Sequence, residues 1–211
     1  MPGAAFITVE GVEGVGKSTS LAVIQEFLRA ADRDIRLTRE PGGTALGEQI
    51  REWVLHAPHG DLKAEVEALL MFAARAQHLQ EVIRPALASG CWVVCDRFTD
   101  ATMAYQGGGG GADRRFLEQL RDGIQGDLNP DLTLLLDAPV EIGFARISKR
   151  EHDHFERQAA DFFERVRATY LDIAAREPAR VKLIDATASR EAVRAEIERC
   201  LTDFIAAREA D

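Results

Sequence analysis

Residues 4–18 read AAFITVEGVEGVGKS, and this stretch decides the fold. Ala4 to Glu10 is short, apolar and β-branched, and it ends in glycine, which marks a buried strand. From Ser18 to Ala31 the apolar positions Leu21, Ile24, Phe27 and Leu28 recur at helical spacing. Between them, Gly11 to Ser18 fits the pattern GxxxxGK(S/T), leaving a strand and opening a helix as that pattern requires. The glycines let successive backbone N–H groups converge on phosphate oxygens at the positive end of the helix. Lys17 would then reach the β- and γ-phosphates, and Ser18 would ligate Mg²⁺. The expected ATP site comprises Gly11, Val12, Glu13, Gly14, Val15, Gly16, Lys17, Ser18 and Thr19.

Working outward, Ile35 to Leu37 reads as a brief strand running into the loop TREPGGT (Thr38 to Thr44). Leu46 to Leu55 and Lys63 to Leu87 read as helices, with Pro85 kinking or restarting the second. Cys91 to Asp96, Leu132 to Ala138 and Lys182 to Ala186 are further strands, and Ser189 to Arg208 is a closing helix. Strands alternating with helices predict a parallel sheet covered on both faces. The expected class is an α/β P-loop NTPase three-layer sandwich, with residues 1–211 forming a single domain. Gly107 to Gly111 is the one low-complexity run, and Ser148 to Arg157 the one linker-like charged stretch.

Composition narrows the function. A net charge of −9 with no basic stripe excludes a nucleic-acid partner, so an enzyme acting on anions must gather its cations locally. Three cysteines without ligand-like spacing fit a reducing compartment and neither disulfides nor zinc. The amino terminus has no basic region followed by a long apolar stretch, and no apolar run approaches membrane-spanning length. A cytoplasmic protein without a membrane partner is expected. A GTPase would normally carry a guanine-reading NKxD segment after a later strand, and none is present.

The phosphate loop alone does not separate a kinase from an ATP-binding regulator; a second, acceptor pocket does. Asp96 and Arg97 end the third strand at the carboxyl edge of the sheet, where ligands bind in open α/β folds. An aspartate there can orient Mg²⁺ and an arginine can fork onto phosphate, although the pair taken alone reads first as a surface ion pair. With TREPGGT, LLMFAARAQH (Leu69 to His78), CDRFTDATMAYQGGG (Cys95 to Gly109) and IDAT (Ile184 to Thr187), the chain resembles bacterial thymidylate kinases from Phe6 to Ala192.

That resemblance implies ATP and dTMP as substrates, Mg²⁺ as cofactor and a homodimer. It implies that Phe72 stacks on thymine, Arg75 bonds the base edge, Thr102 helps read the pyrimidine and Tyr105 crowds the sugar 2′ position. By periodicity alone, Phe72 and Arg75 also read as a core ring and a snorkelling arginine, and Tyr105 as a packed helix residue. Arg97 would hold the acceptor phosphate with Arg39 nearby, unless Arg39 simply bridges loops. Glu13 matches a carboxylate that bonds the 3′-hydroxyl, Glu10 and Asp96 are candidates near Mg²⁺, and Ala186 of IDAT belongs to the ATP site. The segment 146–157 resembles the family's lid, in which Lys149 and Arg150 would act as catalytic cations beside Lys17 and Arg97; the residues alone also permit a solvated charged turn. The chain departs from the family pattern twice: His154 stands in DHFE, and Gly110 in YQGGGGG, where arginines are usual. Arg157, one helical turn beyond His154, is the expected substitute for the missing lid charge. Other nucleotide kinases remain the nearest rival reading.

Overall fold

In the computed structural model, the described residues are 3–56, 62–147 and 154–210. Five strands form one parallel sheet: β1 (Phe6–Glu10), β2 (Ile35–Arg39), β3 (Trp92–Asp96), β4 (Leu132–Asp137) and β5 (Val181–Asp185), in the order β2-β3-β1-β4-β5. The class is therefore the expected P-loop α/β fold. β1 is buried at every position, and β3 and β4 at every position but their terminal aspartates, as strands covered on both faces must be. The core hydroxyls of Thr8 and Thr133 satisfy one another across β1 and β4 at 2.7 Å.

Helices cover both faces. On one side, α1 (Lys17–Ala30) and α9 (Arg190–Ala210) bury Leu21, Ile24, Leu28, Ile197 and Leu201 against β1 and β4. On the other, Leu79 and Ile83 pack with Phe6, Val93, Cys95 and Phe98. The expected helix from Lys63 to Leu87 is wound in three pieces: α3 (Ala64–His78), a π-helical turn at Leu79–Ile83, and α4 (Arg84–Ala88). Pro85 has no N–H to offer the carbonyl four residues back, and the wide turn sits just before it. α2 (Ala45–His56) lies against α3.

Three helices go beyond the elements read from sequence: α6 (Arg114–Gln125), α7 (Val140–Ile147) and α8 (His154–Arg176). The low-complexity run is helical over Gly107 to Gly109. α5 (Thr99–Thr102) continues as a π-helical segment, Met103–Gly109, and α8 lies directly on it. A Cβ on Gly108 would fall 1.9 Å from Thr169 Oγ1, and one on Gly109 2.5 Å from the Phe162 ring. Glycine is there to let two helices touch.

At the carboxyl edge, register aligns the chemistry. Arg39 and Val9 both flank Asp96, Arg97 N–H bonds to the Val9 carbonyl at 3.0 Å, and Glu40 N–H to the Asp96 carbonyl at 2.9 Å.

Gly109→Ala should destabilise the protein by about 1–3 kcal/mol through overpacking against Phe162 and Val166. Gly123→Ala, in α6 with open space around its Cβ, should stabilise it by about 0.5–1 kcal/mol. Opposite shifts of the urea midpoint would confirm the packing; equal signs would contradict it.

Candidate active site

The phosphate loop is a backbone structure throughout. Gly11, Gly14 and Gly16 have φ of 134°, 76° and 98°, in the left-handed region that side chains resist. Two approaches are closer still. A Cβ on Gly11 would lie 2.4 Å from the Leu136 carbonyl oxygen, and one on Gly14 2.1 Å from that of Gly143 in α7. Gly143 is equally constrained, because its own Cβ would meet the Glu13 carbonyl at 2.4 Å. Gly16 caps α1 without a side-chain bond, and Ser18 and Thr19 are exposed on its first turn. Lys17 Nζ donates to the carbonyls of Gly11 and Val12 at 3.0 and 2.8 Å. Burial and the nearby Arg97 lower its amine to about 8, while Glu13 and Asp96 pull the other way.

Arg97 faces this loop from the end of β3, with φ of 68°, rare for a residue with a side chain. Its Nη2 donates to Glu13 Oε1 at 3.0 Å and its Nη1 to the Tyr170 hydroxyl at 3.2 Å, and its guanidinium carbon lies 4.6 Å from the Tyr105 ring centre. Burial opposes its charge, yet Tyr105, Tyr170 and Glu13 hold it well above the usual arginine value. Tyr105 donates to the Glu13 carboxylate at 2.7 and 2.8 Å. The structure thus brings Glu13, Lys17, Arg97 and Tyr105 together.

The two acidic candidates for Mg²⁺ part company. Asp96 Oδ1 is buried without a partner, an oxygen donor suited to a hard cation or a water held by one. Glu10 is engaged elsewhere: Oε1 accepts from Phe98 N–H at 2.7 Å and Oε2 from Tyr170 at 2.8 Å, and the residue is wholly buried. Its burial, reinforced by Asp100, raises the carboxyl to about 7, against the pull of Arg97, Tyr170 and Phe98 N–H. Glu10 therefore stitches β1 to the residue after β3 and to α8.

A second, buried cluster forms around Arg75. Arg75 on α3 is 2% exposed, with Nε on Glu40 Oε2 at 2.7 Å and Nη2 on Thr102 Oγ1 at 3.0 Å. Phe72 and Phe98 flank its guanidinium at 4.6 and 4.9 Å. Nη1 is buried with no partner among the described residues. Phe72, Arg75 and Thr102 are thus assembled as one unit. Arg39 stands apart: it pairs with Glu48 at 2.8 Å, half exposed, and serves the loop-to-α2 junction.

A cavity of about 410 Å³ opens behind the phosphate loop between Gly14, Gly16, Thr19, Arg146 and Ala186. Arg146 closes one side by donating to the Ala186 carbonyl at 3.0 Å. Lys149 and Arg150 lie outside the described residues, as do His152 and Asp153; of His154 and Arg157 only the helical backbone of α8 is described. Sequence reading missed Glu40, His78, Gly143 and Tyr170. Glu40 and His78 sit inside motifs quoted above, but Tyr170 is 160 residues from Glu10 and carries no local signal.

The family model described as thymidylate kinase matches residues 9–197. A thymidylate kinase of Ectopseudomonas mendocina is 51% identical over 203 residues, covering 96% of this chain and 97% of the relative. One from Chromohalobacter salexigens is 54% identical over 204 residues, covering 95% and 96%. The crystal structure of thymidylate kinase from Ehrlichia chaffeensis superposes with a TM-score of 0.77 at 34% identity, over 95% of this chain and 99% of that one.

Gly143→Ala should push the phosphate loop off α7. The expected result is a loss of about 1–3 kcal/mol in stability together with weaker ATP binding in an equilibrium titration. Unchanged ATP affinity would show that α7 does not support the loop.

Proposed function

The chain belongs to the thymidylate kinase family, and on that premise we propose how its own residues share the work. It is a nucleoside monophosphate kinase that converts dTMP to dTDP, with ATP as donor. The observation that carries the division of labour is the unpartnered Nη1 of Arg75, a buried donor that needs an acceptor from outside the chain. A thymine carbonyl oxygen supplies one.

The phosphate-loop N–H groups and Lys17 hold the β- and γ-phosphates of ATP, Ser18 and Thr19 lie at the mouth of that cradle, and the cavity beside Ala186 takes the adenine. On the acceptor side, Phe72 supports the base, Arg75 and Thr102 read its edge, and Tyr105 excludes a 2′-hydroxyl. Glu13 accepts the 3′-hydroxyl. Arg97 exchanges its bond to Glu13 for the acceptor phosphate, and Arg39 leaves Glu48 to assist. The attacking group is already an anion near neutral pH, so positioning and charge neutralisation suffice and no general base is required. Ser18 and Asp96 would hold Mg²⁺, which supplies charge neutralisation between the phosphates when bound. Residues 146–157 form the lid, and Lys149 and Arg150 bring its cations over ATP.

The working unit we propose is a homodimer. Its support is a set of exposed apolar side chains on adjacent helices: Leu46 and Trp53, seven residues apart on one face of α2, with Val66 and Leu69 of α3, Trp53 being 73% exposed. A cytoplasmic setting is supported by three unpaired cysteines, and no described helix is long and apolar enough to cross a membrane.

Arg97→Ala should raise the KM for dTMP at least about tenfold while changing ATP affinity by less than about threefold. A coupled assay over dTMP, dUMP, dCMP, dGMP and thymidine, run on native and variant enzyme, provides the measurement. Equal damage to donor and acceptor would place Arg97 elsewhere. Separately, Trp53→Glu should convert a dimer to monomer in sedimentation velocity, and an unchanged profile would remove this face from the interface.

A further inference from the structure

Glu40 is buried in the loop after β2 with both carboxylate oxygens occupied. Oε2 accepts from Arg75 Nε at 2.7 Å, and Oε1 lies 2.9 Å from His78 Nδ1. A carboxylate opposite a guanidinium only accepts, so the imidazole proton sits on Nδ1. Nε2, at the far end of the ring, is 2.6 Å from Thr38 Oγ1. The ring and the hydroxyl close over Gly43, where a Cβ would stand 2.6 and 2.7 Å from them. Arg75 and His78 are three residues apart and share one face of α3, so a single carboxylate can bridge both.

The Phe72 and Phe98 rings pack against the Arg75 guanidinium at 4.6 and 4.9 Å but offer it no hydrogen-bond acceptor. Thr102 holds one edge. The Nε bond to Glu40 holds the other, and together they fix where Nη1 points. We infer that Glu40 is a positioning residue for acceptor recognition: it orients Arg75 so that Nη1 meets a carbonyl on the base, and through His78 and Thr38 it ties that arginine to the end of β2, which bears Arg39. This rests on the acceptor-site reading of Arg75. The class of base favoured is one with a carbonyl at position 4, as in thymine or uracil, over one with an amine there, as in cytosine.

Glu40→Gln tests it. Glutamine can keep the pattern, its carbonyl accepting from Arg75 Nε and its amide donating to His78 Nδ1 once the ring proton moves to Nε2. The fold is retained while the charge that anchors the guanidinium is lost. The KM for dTMP should rise at least about tenfold, the KM for ATP should stay within about twofold, and the ratio of kcat/KM for dTMP over dCMP should fall. A purely structural role would move both substrates together and leave that ratio alone. Arg75→Met separates the two levels of the argument. If Arg75→Met leaves the dTMP KM at its native value, the acceptor-site reading fails, and this inference with it. If Arg75→Met raises that KM and Glu40→Gln does not, the inference alone is overturned. The double variant Glu40→Gln/Arg75→Met, free of both buried charges, guards against a Glu40→Gln chain that fails to fold. It should show the dTMP KM of Arg75→Met alone, and any further rise would mean that Glu40 acts by some other route.

Discussion

A single guanidinium organises the edge of the sheet that faces the phosphate loop. Arg97 stands in a left-handed backbone at the end of β3, a conformation that costs about 1–3 kcal/mol and persists only where the surroundings over-determine it. Here they do. Its N–H is tied to Val9, the next N–H, of Phe98, is tied to Glu10, and its side chain meets Glu13, Tyr105 and Tyr170. Four parts of the chain therefore converge on one residue: β1, the phosphate loop, the π-helical segment and α8. A buried cation with half its partners missing would be far more costly than the strain, so these contacts stand or fall together.

The same logic explains how an acidic chain serves anionic ligands. The net charge of −9 is spread over exposed carboxylates, many of them in surface pairs of small energetic worth. Lys17, Arg75 and Arg97 are withdrawn from that surface and each is held by only part of its bonding capacity. Lys17 rests on two carbonyls, Arg75 keeps one nitrogen unpartnered, and Arg97 leans on Glu13. Their remaining capacity is directed inward, where the dielectric is low and each bond counts for more.

How much of this the sequence discloses depends on the range over which each feature is encoded. The phosphate loop is legible because strand, glycines, lysine and helix lie within fifteen residues and every one of them has a local reason. The buried strands are legible for the same reason. The segment 103–109 is not: glycine propensity argues against a helix, and only the approach of α8 some sixty residues later reverses it. Glu10 is a metal candidate only through the family resemblance. Its commitment to Phe98 and Tyr170 is a tertiary fact with no local trace. Glu40 and His78 lay inside stretches already singled out, yet their partnership joins residues 38 apart and needs the fold to be seen.

The meeting of Gly14 and Gly143 carries an evolutionary consequence. When two side chains touch, a change in one can be answered by a change in the other, and lineages drift through such paired exchanges. Here main chain lies against main chain, 2.1 Å from where a Cβ would stand on one side and 2.4 Å on the other. Enlarging either residue intrudes on a peptide group that cannot shrink in reply. The two positions form a dead end for compensation, and whatever variation the phosphate loop and α7 accumulate must be found around that point of contact and never through it.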